Sequence, residues 1–250
     1  SNPLQYDFII IDEFSMVDVY LMHSLISAIK KDSHVIIVGD TNQLSSIGPG
    51  CILKDLIDSG CISVSRITKI YRQAEESKII VNAHLINEGK MIDFSPSKDK
   101  KSDFYFISTK DDESTLEKIR EMVSSRVKEA FDIDPKTGIQ LLVPMHEEAL
   151  GTKNTNIEVQ NILNYAEQDG LKKGPFIFKK NDNIMQIKNN YEKMVFNGDV
   201  GIIERVGQDG VLAVFGDQEV YYTKKEMDEI TLSYSITIHK SQGSEYPAVI

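Results

Sequence analysis

The feature that most constrains the fold is a pair of short apolar runs, each ending in acidic residues and separated by one helical pattern. Residues 6–11 run into Asp12-Glu13, and residues 35–38 run into Gly39-Asp40. Continuous apolar runs of this length are the profile of strands buried on both faces. Between them Ser15 followed by Asp18 resembles a capping box, and Val17, Leu21, Leu25, Ala28 and Ile29 recur at helical spacing. Strand, helix and strand within about 35 residues imply a right-handed crossover in a parallel sheet. A short helix over 51–58, closed by Gly60, follows.

Further along, the pattern is helical at 75–87, polar at 96–102 and strand-like at 104–107. A helix carrying Leu116, Ile119, Val123 and Val127 comes next, then a strand at 140–143 and a helix at 154–166. This alternation reads as a second α/β domain. The texture changes near Gly174. Short β segments at 183–187, 200–206, 211–215 and 219–222 are punctuated by turns at 207–210 and at Gly216-Asp217. They read as a small barrel inserted into the second α/β domain, and strand character resumes at 232–238 and 248–250. The expected division is therefore 3–68, then 69–174 with 231–250, and an inserted barrel at 175–230.

Composition narrows the partners. A formal charge of -10 over 250 residues argues against a protein that coats nucleic acid wholesale. It leaves room for a local track, because phosphate contacts need only a few placed donors. Arginine occurs only at Arg66, Arg72, Arg120, Arg126 and Arg205, so each is worth weighing for phosphate chemistry. No stretch approaches the roughly 18 apolar residues of a membrane span, and no signal peptide is visible. Ser1-Asn2 reads as an expression scar. Cys51 and Cys61 lack a metal-binding partner set, which points to a reduced, cytoplasmic protein without membrane contact.

Four segments carry chemistry. Asp12-Glu13 ends a strand of a parallel sheet, at the edge where open α/β sheets bind ligands. In a nucleotide hydrolase the first carboxylate holds Mg²⁺ and the second polarises the attacking water; an ordinary charged strand end is the plain alternative. Residues 39–44 are delivered to the same edge, where Gln43 could sense a γ-phosphate by hydrogen bond without adding charge. Arg72, near a domain boundary, could neutralise charge developing in phosphoryl transfer, or simply pair with Glu75 or Glu76. The densest segment is 237–245, Thr-Ile-His-Lys-Ser-Gln-Gly-Ser-Glu, where a strand opens into a succession of donors suited to phosphodiester oxygens and sugars.

Taken together these segments resemble the RecD/TraA family of superfamily-one DNA helicases. The matching text is Ile9-Ile10-Ile11-Asp12-Glu13-Phe14-Ser15-Met16-Val17-Asp18, Gly39-Asp40-Thr41-Asn42-Gln43-Leu44, Ile70-Tyr71-Arg72-Gln73 and Thr237 through Glu245. Weaker matches are Pro144-Met145-His146 with Gly151-Thr152 and Asn156 to Gln160, and Asn197-Gly198-Asp199-Val200-Gly201 at the start of an SH3-like barrel. Ser45 stands where proline is usual. The resemblance implies RecA-like P-loop NTPase domains, the first partial, and a motor moving 5′ to 3′ on single-stranded DNA that unwinds duplex from its ends. It implies ATP and Mg²⁺ as cofactors, work in DNA repair or recombination, and possible partner subunits of a recombination nuclease.

Carried over by position, Asp12 is the Mg²⁺ carboxylate and Glu13 the water-activating residue. Gln43 and Arg72 contact the γ-phosphate. Thr237, His239, Ser241 and Gln242 lie toward DNA, and Lys240, Gly243 and Glu245 nearer the nucleotide. The family's phosphate loop, Gly-x-x-x-x-Gly-Lys-Ser/Thr, and its final arginine motif do not occur within these 250 residues. The chain is accordingly expected to be a fragment with negligible ATP hydrolysis of its own and an incomplete first sheet open to pairing. Two other classes compete with the helicase. One is a non-catalytic single-stranded-DNA-binding or docking module; the other is a metal-dependent hydrolase using Asp12, Glu13 and Asp40. His23, His34, His84 and His146 read as incidental.

Overall fold

A computed structural model describes residues 3–67, 77–95, 102–166 and 169–250. The chain separates into two compact units, 1–108 and 109–250, and each is described by itself. No described helix is long and apolar enough to cross a membrane.

In the first unit β1 (Phe8–Ile11) and β2 (His34–Ile37) pair in parallel, Phe8 opposite His34 and Ile11 opposite Ile37. Helix α1 (Val19–Ala28) connects them. Asp18, rather than Ser15, caps α1, its carboxylate accepting from the Leu21 amide at 2.7 Å. Residues 14–16 instead make a 3₁₀ turn around the fully buried Phe14. The expectation that both strands are covered on both faces also fails. Phe8 and Ile10 are 68% and 69% exposed, while Ile9 and Ile11 on the opposite face are half-buried. An apolar run reports what a strand can bury, whereas cover depends on what packs against it.

Helix α2 (Ile52–Asp58) ends at Gly60, whose φ of +65° suits glycine. Helix α3 (Lys78–Asn87) starts at Ser77, whose hydroxyl accepts from the Ile80 amide. Residues 104–107, expected as a strand, form none. Phe106 packs locally on Phe94 with ring centroids 4.4 Å apart, so its apolar surface finds a partner without a ladder.

The second unit opens with α4 (Asp112–Glu121), capped by the reciprocal Asp111 and Ser114 bonds. It continues through a π-helical turn (Met122–Arg126) into α5 (Val127–Phe131). Leu116, Ile119, Val123 and Val127 are buried, as their spacing requires. After the short α6 (Pro135–Gly138) come β3 (Ile139–Val143) and α7 (Thr152–Leu163). A hairpin of β4 (Gly170–Lys173) and β5 (Phe176–Lys179) follows. Strands β6 (Asn183–Gln186), β7 (Val200–Val206), β8 (Gly210–Phe215), β9 (Gln218–Thr223) and β10 (Ile230–Leu232) then make an antiparallel sheet, ordered β10-β6-β7-β8-β9. Strands β11 (Ser235–Thr237) and β12 (Ala248–Val249) flank β3 in a parallel sheet.

The expected single strand at 232–238 is thus two. Ser233 and Tyr234 carry the chain from the antiparallel sheet to the parallel one. The Ser233 amide still donates to Asn183, and the Tyr234 carbonyl already accepts from Leu141. Both sheets share one apolar core that includes Val143, Val159, Ile184, Ile203, Tyr222 and Tyr234.

Where these elements meet, Asp182 has no exposed surface. Its Oδ1 accepts from Asn164 Nδ2 at 2.7 Å and the Tyr234 hydroxyl at 3.0 Å. Its Oδ2 accepts from Gln160 Nε2 at 2.6 Å and the Lys179 amide at 2.7 Å. Burial still pushes this carboxyl above its ordinary value, against the pull of those donors. The folded chain therefore holds the proton at pH values where the unfolded chain has lost it, and this group's contribution to stability falls as pH rises through that window. Asp182→Ala removes the acceptor of four inward-facing bonds, of whose donors Gln160 Nε2 and Asn164 Nδ2 each keep a second bond, to the Ile177 and Lys180 carbonyls. Urea unfolding of the variant is expected to show a loss of about 3 kcal/mol or more; a loss below about 1 kcal/mol would show that the donors find other partners.

Candidate functional site

The C-terminal edge of β1 and β2 gathers two of the sequence-predicted segments. The Val38 amide donates to the Ile11 carbonyl at 2.8 Å, and the Phe14 amide donates to the Val38 carbonyl at 3.0 Å. These two bonds hold the exit of one strand against the exit of the other, so Asp12-Glu13 and Gly39-Asp40 leave the sheet side by side. Gly39 permits the approach, because a Cβ there would lie 3.2 Å from the Phe14 and Ser15 amide nitrogens. Between the two bonds Glu13 adopts φ +52°, ψ +39°, a left-handed conformation that costs a residue with a Cβ of order 1 kcal/mol. The bend turns the chain out of the strand direction immediately after Asp12, whose Oδ1 accepts from the Glu13 amide at 2.8 Å.

The second segment is folded by its own aspartate. Asp40 Oδ1 accepts from the Asn42 amide at 2.8 Å, and the Asp40 carbonyl accepts from the Gln43 amide at 3.3 Å. Gln43 is exposed on this turn, and Asp12 is exposed at the neighbouring strand end. The loop then returns to α1, with the Pro49 carbonyl accepting from the Val19 amide at 3.0 Å. A single exposed carboxylate at a strand edge fits the way Mg²⁺ is held, by one or two carboxylates with phosphates and waters supplying the rest. The three-carboxylate alternative does not fit. Among the described residues no three His, Cys, Asp or Glu side chains group closely enough to hold a metal, and Asp12 and Asp40 each turn an oxygen to a local amide. Arg72 lies outside the described residues, as do Tyr71 and Gln73.

In the second unit the 237–245 segment leaves the parallel sheet beside the exit of β3, with Thr237 in register with Val143. Thr237 itself is only 7% exposed, inside β11. His239 is exposed on the 3₁₀ turn that follows (Ile238–Ser241), and Lys240 is half-buried. Burial pushes the Lys240 ammonium below its usual pKa, and Nζ lies 3.4 Å from Asn197 Oδ1. The Ser241 hydroxyl donates to the Ile238 carbonyl at 2.7 Å, so its proton is committed to the turn. Ser241 and Gln242 are half-buried, and Gly243 and Glu245 are exposed, Gly243 with φ +73°.

This loop is positioned by a helix that sequence reasoning did not single out for the task. Asn156 of α7 works as a substitute strand along β11: its Oδ1 accepts from the Ser235 amide at 3.0 Å and its Nδ2 donates to the Ser235 carbonyl at 2.7 Å. Thr155 Oγ1 adds a bond to Ser235 Oγ at 2.8 Å. The helix is in turn tied to the exit of β3, with the Thr152 amide donating to the Met145 carbonyl and the His146 ring bonded to Thr152 Oγ1 at 3.1 Å. The signal available in the sequence was an amide at every fourth residue, Asn156, Gln160 and Asn164, which places all three on one helix face. Removing the Asn156 amide by Asn156→Ala strands two backbone groups of β11. It is expected to cost about 2 kcal/mol in denaturant unfolding and to speed amide exchange at Ser235; unchanged exchange there would contradict the clamp.

Comparison with known proteins places this geometry in context. A profile described as an AAA domain matches residues 3–102, and one described as an ATP-dependent RecD-like DNA helicase SH3 domain matches residues 155–215. The ATP-dependent RecD2 DNA helicase of Deinococcus radiodurans is 29% identical over 249 residues, covering 100% of this chain and 33% of that protein. The RecBCD enzyme subunit RecD of Mycolicibacterium smegmatis is 27% identical, covering 98% of the chain and 44% of the relative. The chain thus spans less than half the length of these curated relatives. In three dimensions a crystal structure of a Pif1 helicase from Bacteroides, in complex with ADP-AlF3 and ssDNA, matches with a TM-score of 0.54 at 15% identity. That match covers 98% of this chain and 64% of the other. The fold is that of the RecA-like helicases, with an SH3-like domain.

Proposed function

We propose that this chain, related over its whole length to RecD-type helicases, is part of an ATP-dependent DNA helicase that translocates 5′ to 3′ on single-stranded DNA. Its substrates are ATP and duplex DNA entered from an end, and its work lies in cytoplasmic DNA repair or recombination, with subunits of a recombination nuclease as partners. Its domains are a first motor domain at 3–68, a second at 69–174 with 231–250, and an SH3-like barrel at 175–230.

The observation that carries this reading is the junction of β1 and β2. Two interstrand bonds set Asp12-Glu13 against Gly39-Asp40 at the ligand-binding edge of a parallel sheet. Asp12 would hold Mg²⁺, which when bound shields the charge of the phosphates. Glu13, turned out of the strand by its left-handed backbone, takes the proton of the attacking water. Gln43, on its Asp40 turn, donates to the terminal phosphate, and Arg72 neutralises charge that develops there. Within the second unit, the resemblance assigns Lys240, Gly243 and Glu245 to nucleotide contact and Thr237, His239, Ser241 and Gln242 to strand contact. Buried as it is, Thr237 serves that contact by anchoring the loop and offering what little surface it keeps.

The test is made in the protein that carries this chain. Glu13→Gln is expected to lower DNA-stimulated ATP turnover by about 100-fold or more while nucleotide binding is kept. Turnover within about three-fold of the parent would refute the assignment of Glu13 as the proton acceptor.

A further inference from the structure

The barrel and the 237–245 loop meet at a polar contact between Lys240 and Asn197. Lys240 Nζ meets the amide oxygen of Asn197, and among the described residues Lys240 makes no ion pair. Two lysines elsewhere in this unit do so: Lys173 of β4 pairs with Asp228, and Lys193 of the barrel pairs with Glu226. A half-buried ammonium beside a neutral acceptor loses part of its water without gaining a counter-charge, and burial lowers its pKa accordingly.

The backbone turn that carries the exposed Asn197 is tied down by hydrogen bonds. Gly198 takes φ +105°, which an L side chain rarely adopts, and its amide donates to the Gln186 carbonyl at 2.9 Å. Asp199 Oδ2 accepts from the Phe196 amide at 2.7 Å, and the Asp199 carbonyl accepts from the Gln186 amide at 2.8 Å. The Asn197 amide donates to Asn189 Oδ1 at 2.9 Å. Gln186 is in turn fully buried, its Oε1 accepting from the Tyr222 hydroxyl at 2.8 Å. The turn that presents Asn197 is therefore fixed by the barrel core. Lys240, by contrast, sits on a short 3₁₀ turn at the end of a three-residue strand.

We infer that Asn197 is a positioning residue through which the barrel holds the Lys240 ammonium oriented, and un-neutralised, for a phosphate oxygen. The inference rests on the reading of the 237–245 loop as a phosphate-facing surface. Asparagine suits the role because it orients the cation without cancelling it. Aspartate, of the same shape, would form an ion pair and spend the charge on the protein itself. The phosphate belongs either to the nucleic-acid strand or to the nucleotide, and the experiment separates the two.

Anisotropy titrations of labelled oligo(dT) without nucleotide, and of a fluorescent ADP without DNA, are made on the protein that carries this chain and on its Asn197→Asp, Asn197→Ala and Lys240→Met variants. Asn197→Asp is expected to weaken one of the two probes about five-fold or more. If that probe is oligo(dT), the salt dependence of binding falls by about one counterion. Asn197→Ala weakens the same probe less and leaves the charge available. In the Lys240→Met background Asn197→Asp has no further effect, a non-additivity that a purely structural turn would not produce. Loss on oligo(dT) marks the strand as the source of the phosphate, and loss on ADP marks the nucleotide. If Lys240→Met weakens a probe and Asn197→Asp binds it like the parent, the proposed role of Asn197 is overturned. If Lys240→Met itself binds both probes like the parent, the phosphate-facing reading of the loop falls first, and this inference with it.

Discussion

The second unit depends on a carboxylate that has no access to water. Asp182 can remain buried only because four donors converge on it, and those donors come from α7 and the Asn164 that caps its end, from β5 and from the segment joining β10 to β11. A buried charge of this kind tolerates little displacement, since each lost donor leaves a desolvated oxygen uncompensated. The consequence is geometric. The antiparallel sheet, the helix and the crossing to the parallel sheet must meet in one arrangement, and the 237–245 loop inherits its position from that arrangement.

From Asp182 the constraint runs along a single helix face. Gln160 and Asn164 serve the carboxylate, and Asn156, one turn earlier, serves the backbone of β11. One stripe of amides thus fixes both the barrel-side contacts and the strand from which His239 and Lys240 emerge. The first unit reaches a comparable result with less. Two backbone bonds, a glycine at the contact and one left-handed glutamate bring two acidic strand ends together. Neither site is built from side-chain packing alone. Each hangs from the exit of a parallel strand, where the ladder ends and backbone groups become available to loops.

Much of the fold was legible because it is written in periodicity. Alternation and turn residues located β6 to β9 to within a residue or so, and helical spacing located α1, α3, α4 and α7. The failures share a cause. Residues 104–107 have a strand's composition but join no ladder among the described residues. Residues 232–238 read as one strand because nothing local in Ser233-Tyr234 announces a change of sheet. The capping of α1 passed from Ser15 to Asp18 because Phe14 is drawn into the interior and wraps its neighbours into a tight turn.

The sequence by itself determined where the candidate chemical segments lie and in what order, because a carboxylate pair after a buried-type strand, a glycine before an aspartate and a run of donors after a strand are local patterns. It also located an antiparallel sheet that interrupts the α/β alternation. Only the tertiary structure decided that Asp12 and Asp40 do not join a third ligand in a metal cluster, that Thr237 is buried while His239 is not, and that Asn197 meets Lys240 from 43 residues away in the chain. These outcomes depend on donors, acceptors and cover supplied by distant segments. A one-dimensional pattern states the needs of a side chain but does not say which neighbour will meet them.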